Sequence, residues 1–184
     1  MYFLARIVCL IYSKLFIRGR YIGLDNIPSN GAFIIASNHI SMLDPVILIS
    51  LVKSRIHFLA KKEIFKFPQG IIFSNLELIA VNRNSNDKEA LKSAIDYLNG
   101  GHVIGIFPEG TRERGRGLLN FKYGAVKMAK ETNTPILPVA IKGKYNMFKK
   151  ELYIIFGKPF YVKDVLNIEN TKLRNTIKSM IDSV

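Results

Sequence analysis

Cysteine is nearly missing from this chain: Cys9 is the only one in 184 residues. It can form no internal disulfide and has no metal-ligand partners at useful spacing, so a reducing compartment is the default. Its place in an apolar run points to packing rather than chemistry. Acidic residues are scarce as well, 14 Asp and Glu against 27 Lys and Arg, for a net charge of +13. That imbalance favours phosphate-bearing partners: nucleic acid, an anionic lipid surface, or an acidic carrier. Long apolar runs are also lacking. The stretch from Tyr2 to Ile17 is interrupted by Arg6, Ser13 and Lys14, and it falls short of the roughly 20 residues a spanning helix needs. No small-x-small cleavage pattern follows it, which argues against a removed signal peptide.

What is present begins with that stretch. In a helix Arg6 and Ser13 lie on nearly the same side, giving a narrow polar stripe and a broad apolar face, and Arg18 and Arg20 follow directly. The first expectation is a membrane-interface helix over residues 1–20, with its basic residues at headgroup level. A helix docked on the protein's own core and an uncleaved anchor are the other two readings. Hydrophobic residues make up 48% of the chain, leaving apolar surface to spare for such a contact. Residues 21–184 read as one domain, without repeat, low-complexity tract or linker.

Within it, apolar runs alternate with helical patterns. Strands are expected at Ala32–Ala36, Arg55–Ala60, Leu76–Val81, Val103–Phe107, Ile136–Ile141 and Leu152–Phe156. Asp25 to Gly31 is rich in turn residues, and Pro68 and Gly70 argue against one unbroken helix over Phe65–Phe73. Helices are expected after Pro45, from Asn86-Asp87 to Gly100-Gly101, over Gly124–Lys130, and from Thr171 to the end. Such alternation predicts an α/β domain with a mostly parallel central sheet flanked by helices.

Two short motifs sit where strands end. The first is Ser37-Asn38-His39-Ile40-Ser41-Met42-Leu43-Asp44-Pro45. A neutral imidazole can take a proton from a hydroxyl if an acceptor holds its other nitrogen. On a helix, His39 and Asp44 would lie about 140° apart, so the turn must fold back if they are to meet. The competing reading makes Asp44 a cap for a helix begun by Pro45, with Ser41 and Asp44 as a weak capping box. The second motif is Phe107-Pro108-Glu109-Gly110-Thr111-Arg112, followed by Arg114, Arg116 and Lys122 among Gly115, Gly117 and Gly124. Ligands of open α/β sheets bind at the carboxyl ends of strands. Glycine there admits close backbone approach, and arginine offers a fork for phosphate oxygens. A solvated basic loop is the alternative.

The two motifs together resemble the H-x-x-x-x-D and F-P-E-G-T-R blocks of the glycerolipid acyltransferases, in particular the 1-acylglycerol-3-phosphate acyltransferases. Lys61-Lys62-Glu63 with Pro68, Gly70 and Arg83 is similar to that family's second block, and Thr134-Pro135-Ile136-Leu137-Pro138-Val139 to its fourth. The likeness runs over residues 20 to 160. Glu113 stands where many members carry serine, and Leu-Ile-Ala-Val-Asn precedes Arg83 where an acidic residue is usual.

The resemblance implies the acyltransferase fold and acyl transfer from acyl-CoA or acyl-carrier protein to the free hydroxyl of lysophosphatidic acid, yielding phosphatidic acid. His39 is then the general base, with Asp44 orienting it. Arg112, helped by Lys61, Arg83 and Lys122, clamps the acceptor phosphate, while Gly110 and Thr111 shape the loop. Glu109 holds Arg112 or a glycerol hydroxyl. Backbone N–H groups near the His39 turn are candidates for stabilising the oxyanion. The thioester is a co-substrate, and no metal or cofactor is expected. Work at a bilayer surface fits the basic balance and predicts peripheral or monotopic attachment at a cytoplasmic membrane face. His57 and His102, lacking nearby acids, are expected to be structural. Two other classes stay open: a basic nucleic-acid-binding module, disfavoured because the aromatics are scattered through apolar runs, and a non-catalytic lipid binder. Glycerol-3-phosphate or another lysolipid is the alternative acceptor.

Overall fold

A computed structural model describes residues 2–61, 79–81, 88–113 and 115–184. In chain order its elements are α1 (Tyr2–Phe16), β1 (Gly19–Ile22), a 3-10 turn (Leu24–Asn26), β2 (Ile34–Ser37), α2 (Asp44–Leu51), β3 (Ile56–Lys61) and β4 (Ile79–Val81). Then follow α3 (Lys88–Asn99), β5 (Val103–Ile106), α4 (Gly124–Thr132), β6 (Ile136–Gly143), β7 (Leu152–Phe156) and α5 (Leu166–Asp182). Among the described residues the strands form one seven-stranded sheet in the order β1-β7-β6-β2-β5-β3-β4. Every neighbouring pair is parallel except the β6–β7 hairpin.

The expected α/β architecture is what the chain adopts. Its central strands are buried on both sides, and their side chains alternate between two cores. Phe33, Ile35, Val139 and Ile141 face a layer built with α2 and Cys9 of α1. Ile34, Ala36, Ile104 and Ala140 face the opposite layer, where α3, α4 and α5 supply Ala94, Val126, Met128 and Ile177. Cys9 is buried in the first of these layers, as expected, and burial pushes its thiol pKa up.

Two local points differ from expectation. Gly19–Ile22, not anticipated as a strand, pairs with β7 at the sheet edge. It is four residues long with alternate residues exposed, too short a pattern to register as a run. The closing helix begins at Leu166 rather than Thr171. Its first turns bury Glu169 and Asn170, polar residues that interrupt the apolar period. Although burial alone would push the Glu169 carboxyl up, the backbone N–H groups of Lys163 and Asp164, with Lys172, hold it below its ordinary value. The Phe65–Phe73 segment, and residues 76–78 and 86–87 of neighbouring elements, lie outside the described residues.

Helix α1 packs against α2, yet with an unusual polarity. Tyr2, Cys9 and Ser13 face inward, and the Tyr2 hydroxyl accepts the Ile56 N–H at 3.0 Å. Phe3, Leu4, Val8, Ile11 and Leu15 face outward, Phe3 being 72% exposed. The narrow polar stripe is the docked side and the broad apolar face is open, the reverse of a helix covering a soluble core. No helix among the described residues is long and apolar enough to cross a membrane.

Candidate active site

Strands β2 and β5 lie side by side and parallel, with Ala36 opposite Ile106. The His39 turn and the Phe107–Arg112 loop therefore leave the sheet at the same carboxyl edge. Asn38 fixes the exit from β2: its side-chain amide donates to the Ile141 carbonyl at 2.8 Å and its amide oxygen accepts the Ile141 N–H at 2.7 Å. That pair imitates one more rung of the β2–β6 ladder, so the turn starts from a fixed point.

The turn does fold back. Asp44 is fully buried, and its Oδ2 lies 2.7 Å from His39 Nδ1. The same oxygen accepts the N–H groups of Ile40 at 2.8 Å and Ser41 at 2.9 Å. An oxygen already accepting two N–H donors fixes the ring tautomer with hydrogen on Nδ1, leaving Nε2 as the basic nitrogen. Asp44 Oδ1 accepts the Tyr145 hydroxyl at 2.6 Å. Burial, with the adjacent Asp44 charge, pushes the Tyr145 phenol far above its ordinary range, so it remains a donor. The capping reading holds only in half: Asp44 does reach back to the Ser41 N–H, while Ser41 Oγ accepts from Leu43 at 3.2 Å, and no side chain caps α2.

Aromatic packing sets the plane of the imidazole. Phe107 stacks on His39 with centroids 4.1 Å apart, and Phe58 backs Phe107 at 5.7 Å. Phe58 has room only because β5 carries Gly105, where a Cβ would lie 2.4 Å from its ring.

Glu109 spends both carboxylate oxygens on backbone N–H groups. One carboxylate oxygen accepts the His39 N–H and the other the Leu119 N–H, each at 2.8 Å, so this buried side chain ties the His39 turn to the basic loop rather than holding Arg112. Burial raises its pKa against the pull of those two N–H donors. The same bonds revise the oxyanion expectation, because the N–H groups of His39, Ile40 and Ser41 are all committed to carboxylates. Gly110 has φ 68°, which favours glycine, and a Cβ there would meet Lys122 Cε at 3.1 Å. Lys122 thus lies across Gly110, and its N–H closes the loop on the Pro108 carbonyl at 2.8 Å. Thr111 is exposed and Arg112 half-buried, and the next residue, Glu113, donates its N–H to the His39 carbonyl at 2.9 Å. Lys61 ends β3 with its side chain outside the description, and Arg83 and Arg114 lie outside it altogether.

His57 and His102 pack against Tyr97 toward the amino-terminal ends of β3 and β5, away from this edge. Tyr145 escaped sequence reasoning, and nothing in its local pattern signals a role. So did Arg174 of α5, which donates to the carbonyls of Leu118 and Leu119 and braces the basic loop from beneath. Among the described residues no group of three or more His, Cys, Asp and Glu side chains could hold a metal ion.

A buried carboxylate holding an imidazole at the carboxyl edge of a mostly parallel sheet, beside a cation-bearing loop, is an arrangement with the chemistry to take a proton from a hydroxyl. The family model described as Acyltransferase matches residues 18–142, and the chain belongs to the acyltransferase family. Its relatives narrow the class further. The 1-acyl-sn-glycerol-3-phosphate acyltransferase of Borreliella burgdorferi is 35% identical over 170 residues, covering 88% of this chain and 68% of that one. The enzyme of the same name from Bacillus subtilis is 30% identical, covering 78% of this chain and 74% of its own length. Among solved structures, the 1-acyl-sn-glycerophosphate (LPA) acyltransferase PlsC from Thermotoga maritima superposes with a TM-score of 0.80 at 25% identity, covering 97% of this chain and 78% of that one.

Proposed function

We propose that this acyltransferase moves a fatty acyl group from acyl-CoA or acyl-carrier protein to the sn-2 hydroxyl of 1-acyl-glycerol-3-phosphate, forming phosphatidic acid. The names of its relatives support the acceptor. The observation that carries the chemistry is the 2.7 Å contact between His39 Nδ1 and a fully buried carboxylate. His39 Nε2 takes the hydroxyl proton as the oxygen attacks the thioester carbonyl. A C–O bond forms, the C–S bond breaks, and the imidazolium returns its proton to the departing thiolate. Asp44 stabilises the imidazolium and prevents ring rotation. No acyl-enzyme is needed. Arg112 and Lys122, with Lys61 and Arg83 as helpers, hold the acceptor phosphate, and Gly110 and Thr111 shape the loop that receives it. The exposed apolar face of α1 supports attachment at a bilayer surface, which we assign to its cytoplasmic side.

The test is acyl transfer to lysophosphatidic acid in detergent micelles, with each donor, for wild type and His39→Ala. Turnover should fall by about 10²–10⁴ in the variant, with acceptor binding nearly intact. A variant as active as wild type would remove His39 from the chemistry, and inactivity of wild type with both donors would point to another acceptor.

A further inference from the structure

The loop between β6 and β7 carries apolar surface that the fold does not use. Phe148 at its tip is 81% exposed, more than any other large apolar side chain among the described residues, and Met147 beside it is 42% exposed. The tip has a defined shape: the Asn146 side-chain oxygen accepts the N–H groups of Phe148 at 2.8 Å and Lys149 at 3.2 Å. Lys144, Lys149 and Lys150 surround it, against one acid, Glu151, whose carboxylate lies 3.9 Å from Lys149 Nζ. The tip also abuts the end of α1. The Arg18 N–H donates to the Asn146 carbonyl at 3.2 Å, and the Arg18 guanidinium reaches the Phe148 carbonyl at 3.5 Å. A cleft of about 450 Å³ there is lined by Leu10, Ile11, Lys14, Arg18 and Lys150, with no acidic side chain in its wall.

An aromatic and a thioether held out from a shaped turn, ringed by cations and joined to an outward apolar helix, match the headgroup boundary of an anionic bilayer. We infer that residues 144–151 form a second membrane-contact element, which inserts Phe148 and Met147 and places Lys150, Arg18 and Lys14 against anionic phospholipid headgroups. This rests on the membrane reading of α1 and extends it: the protein stands on its membrane at two points rather than one.

The chain contains no tryptophan, so a single one reports from wherever it is placed. Full-length Phe148→Trp is mixed with vesicles of phosphatidylcholine, alone or containing phosphatidylglycerol, and Leu4→Trp on α1 is the comparator. The inference expects a blue shift at position 148, quenched by brominated lipid and larger on the anionic vesicles. A shift at Leu4→Trp with none at Phe148→Trp overturns the second contact and leaves the α1 reading standing. No shift at either position overturns both. A shift at 148 on adding acidic carrier protein, but not vesicles, makes the loop a protein dock and also overturns the inference. As a second readout, Phe148→Ser should weaken vesicle binding by about tenfold. Lys150→Gln should weaken it by about fivefold on anionic vesicles, with little effect on phosphatidylcholine alone. Equal loss on both vesicle types would remove the anionic headgroup from the inference.

Discussion

The turn that carries His39 and the loop that carries Arg112 leave neighbouring strands at one edge, yet they are built on opposite plans. In the turn, one buried carboxylate receives four donors: the His39 ring, two backbone N–H groups and the Tyr145 hydroxyl. In the loop, Thr111, Arg116 and Lys122 are exposed, and glycines at 110, 115 and 117 take positive φ. Its fixed points are the bonds from Glu109, the Glu113 carboxylate on the Gly117 N–H, and Arg174 beneath. Proton transfer needs one nitrogen held at one angle, whereas grasping a phosphate needs cations that water and ligand can reach. Under the proposed mechanism, rigidity is concentrated where the proton moves.

Changes in the turn should therefore cut kcat, and changes in the loop should raise the acceptor KM. The largest effect belongs to Asp44→Asn, which preserves shape but puts an NH₂ or a neutral oxygen where the ring needs a carboxylate. Its kcat should drop by about 10²–10⁴ at nearly unchanged KM. A rise in KM alone would erase the contrast. Arg112→Ala should raise the KM for lysophosphatidic acid by about 10–100-fold, the worth of a hydrogen bond to a charged group, with a smaller change in kcat. Tyr145→Phe leaves a buried carboxylate oxygen without its donor. It should cost about 1–3 kcal/mol in urea unfolding and about tenfold in kcat, with KM preserved.

The smallest effect tests the link between the two regions. Because burial raises the Glu109 carboxyl above its ordinary 4.5, the stability it confers is complete below that unfolded value and is lost as pH rises through the higher folded value. Wild type should lose thermal stability across that window, and Glu109→Gln should lose less. Parallel pH profiles would show that Glu109 is not the group that titrates there.

Much of this site is readable from the chain because its partners are close in sequence. His39 and Asp44 are five residues apart, and the buried runs Ile34–Ser37 and Val103–Ile106 announce the strands that deliver the two motifs. Charge reasoning fails at Glu109, since it pairs acids with bases while the donors Glu109 meets are backbone N–H groups that no residue letter displays. Tyr145 is invisible for another reason: a phenol becomes a carboxylate's partner only through a hairpin that brings it back across the sheet. For α1, amphipathicity is legible but its sense is not. A stripe and a face say that two environments exist, not that the polar one is indoors.

The bonds that complete the site span 103 residues from Asn38 to Ile141, 70 from His39 to Glu109, and 101 from Asp44 to Tyr145. Synthesis runs from the amino terminus, and contacts so distant form late in folding. A growing chain thus displays His39 and Asp44 early but receives the last of their restraints, from Ile141 and Tyr145, only when β6 and the hairpin after it emerge. The ribosome makes the motif first and the lock last, so a copy halted before the hairpin bears His39 and Asp44 without the Tyr145 hydroxyl on the carboxylate.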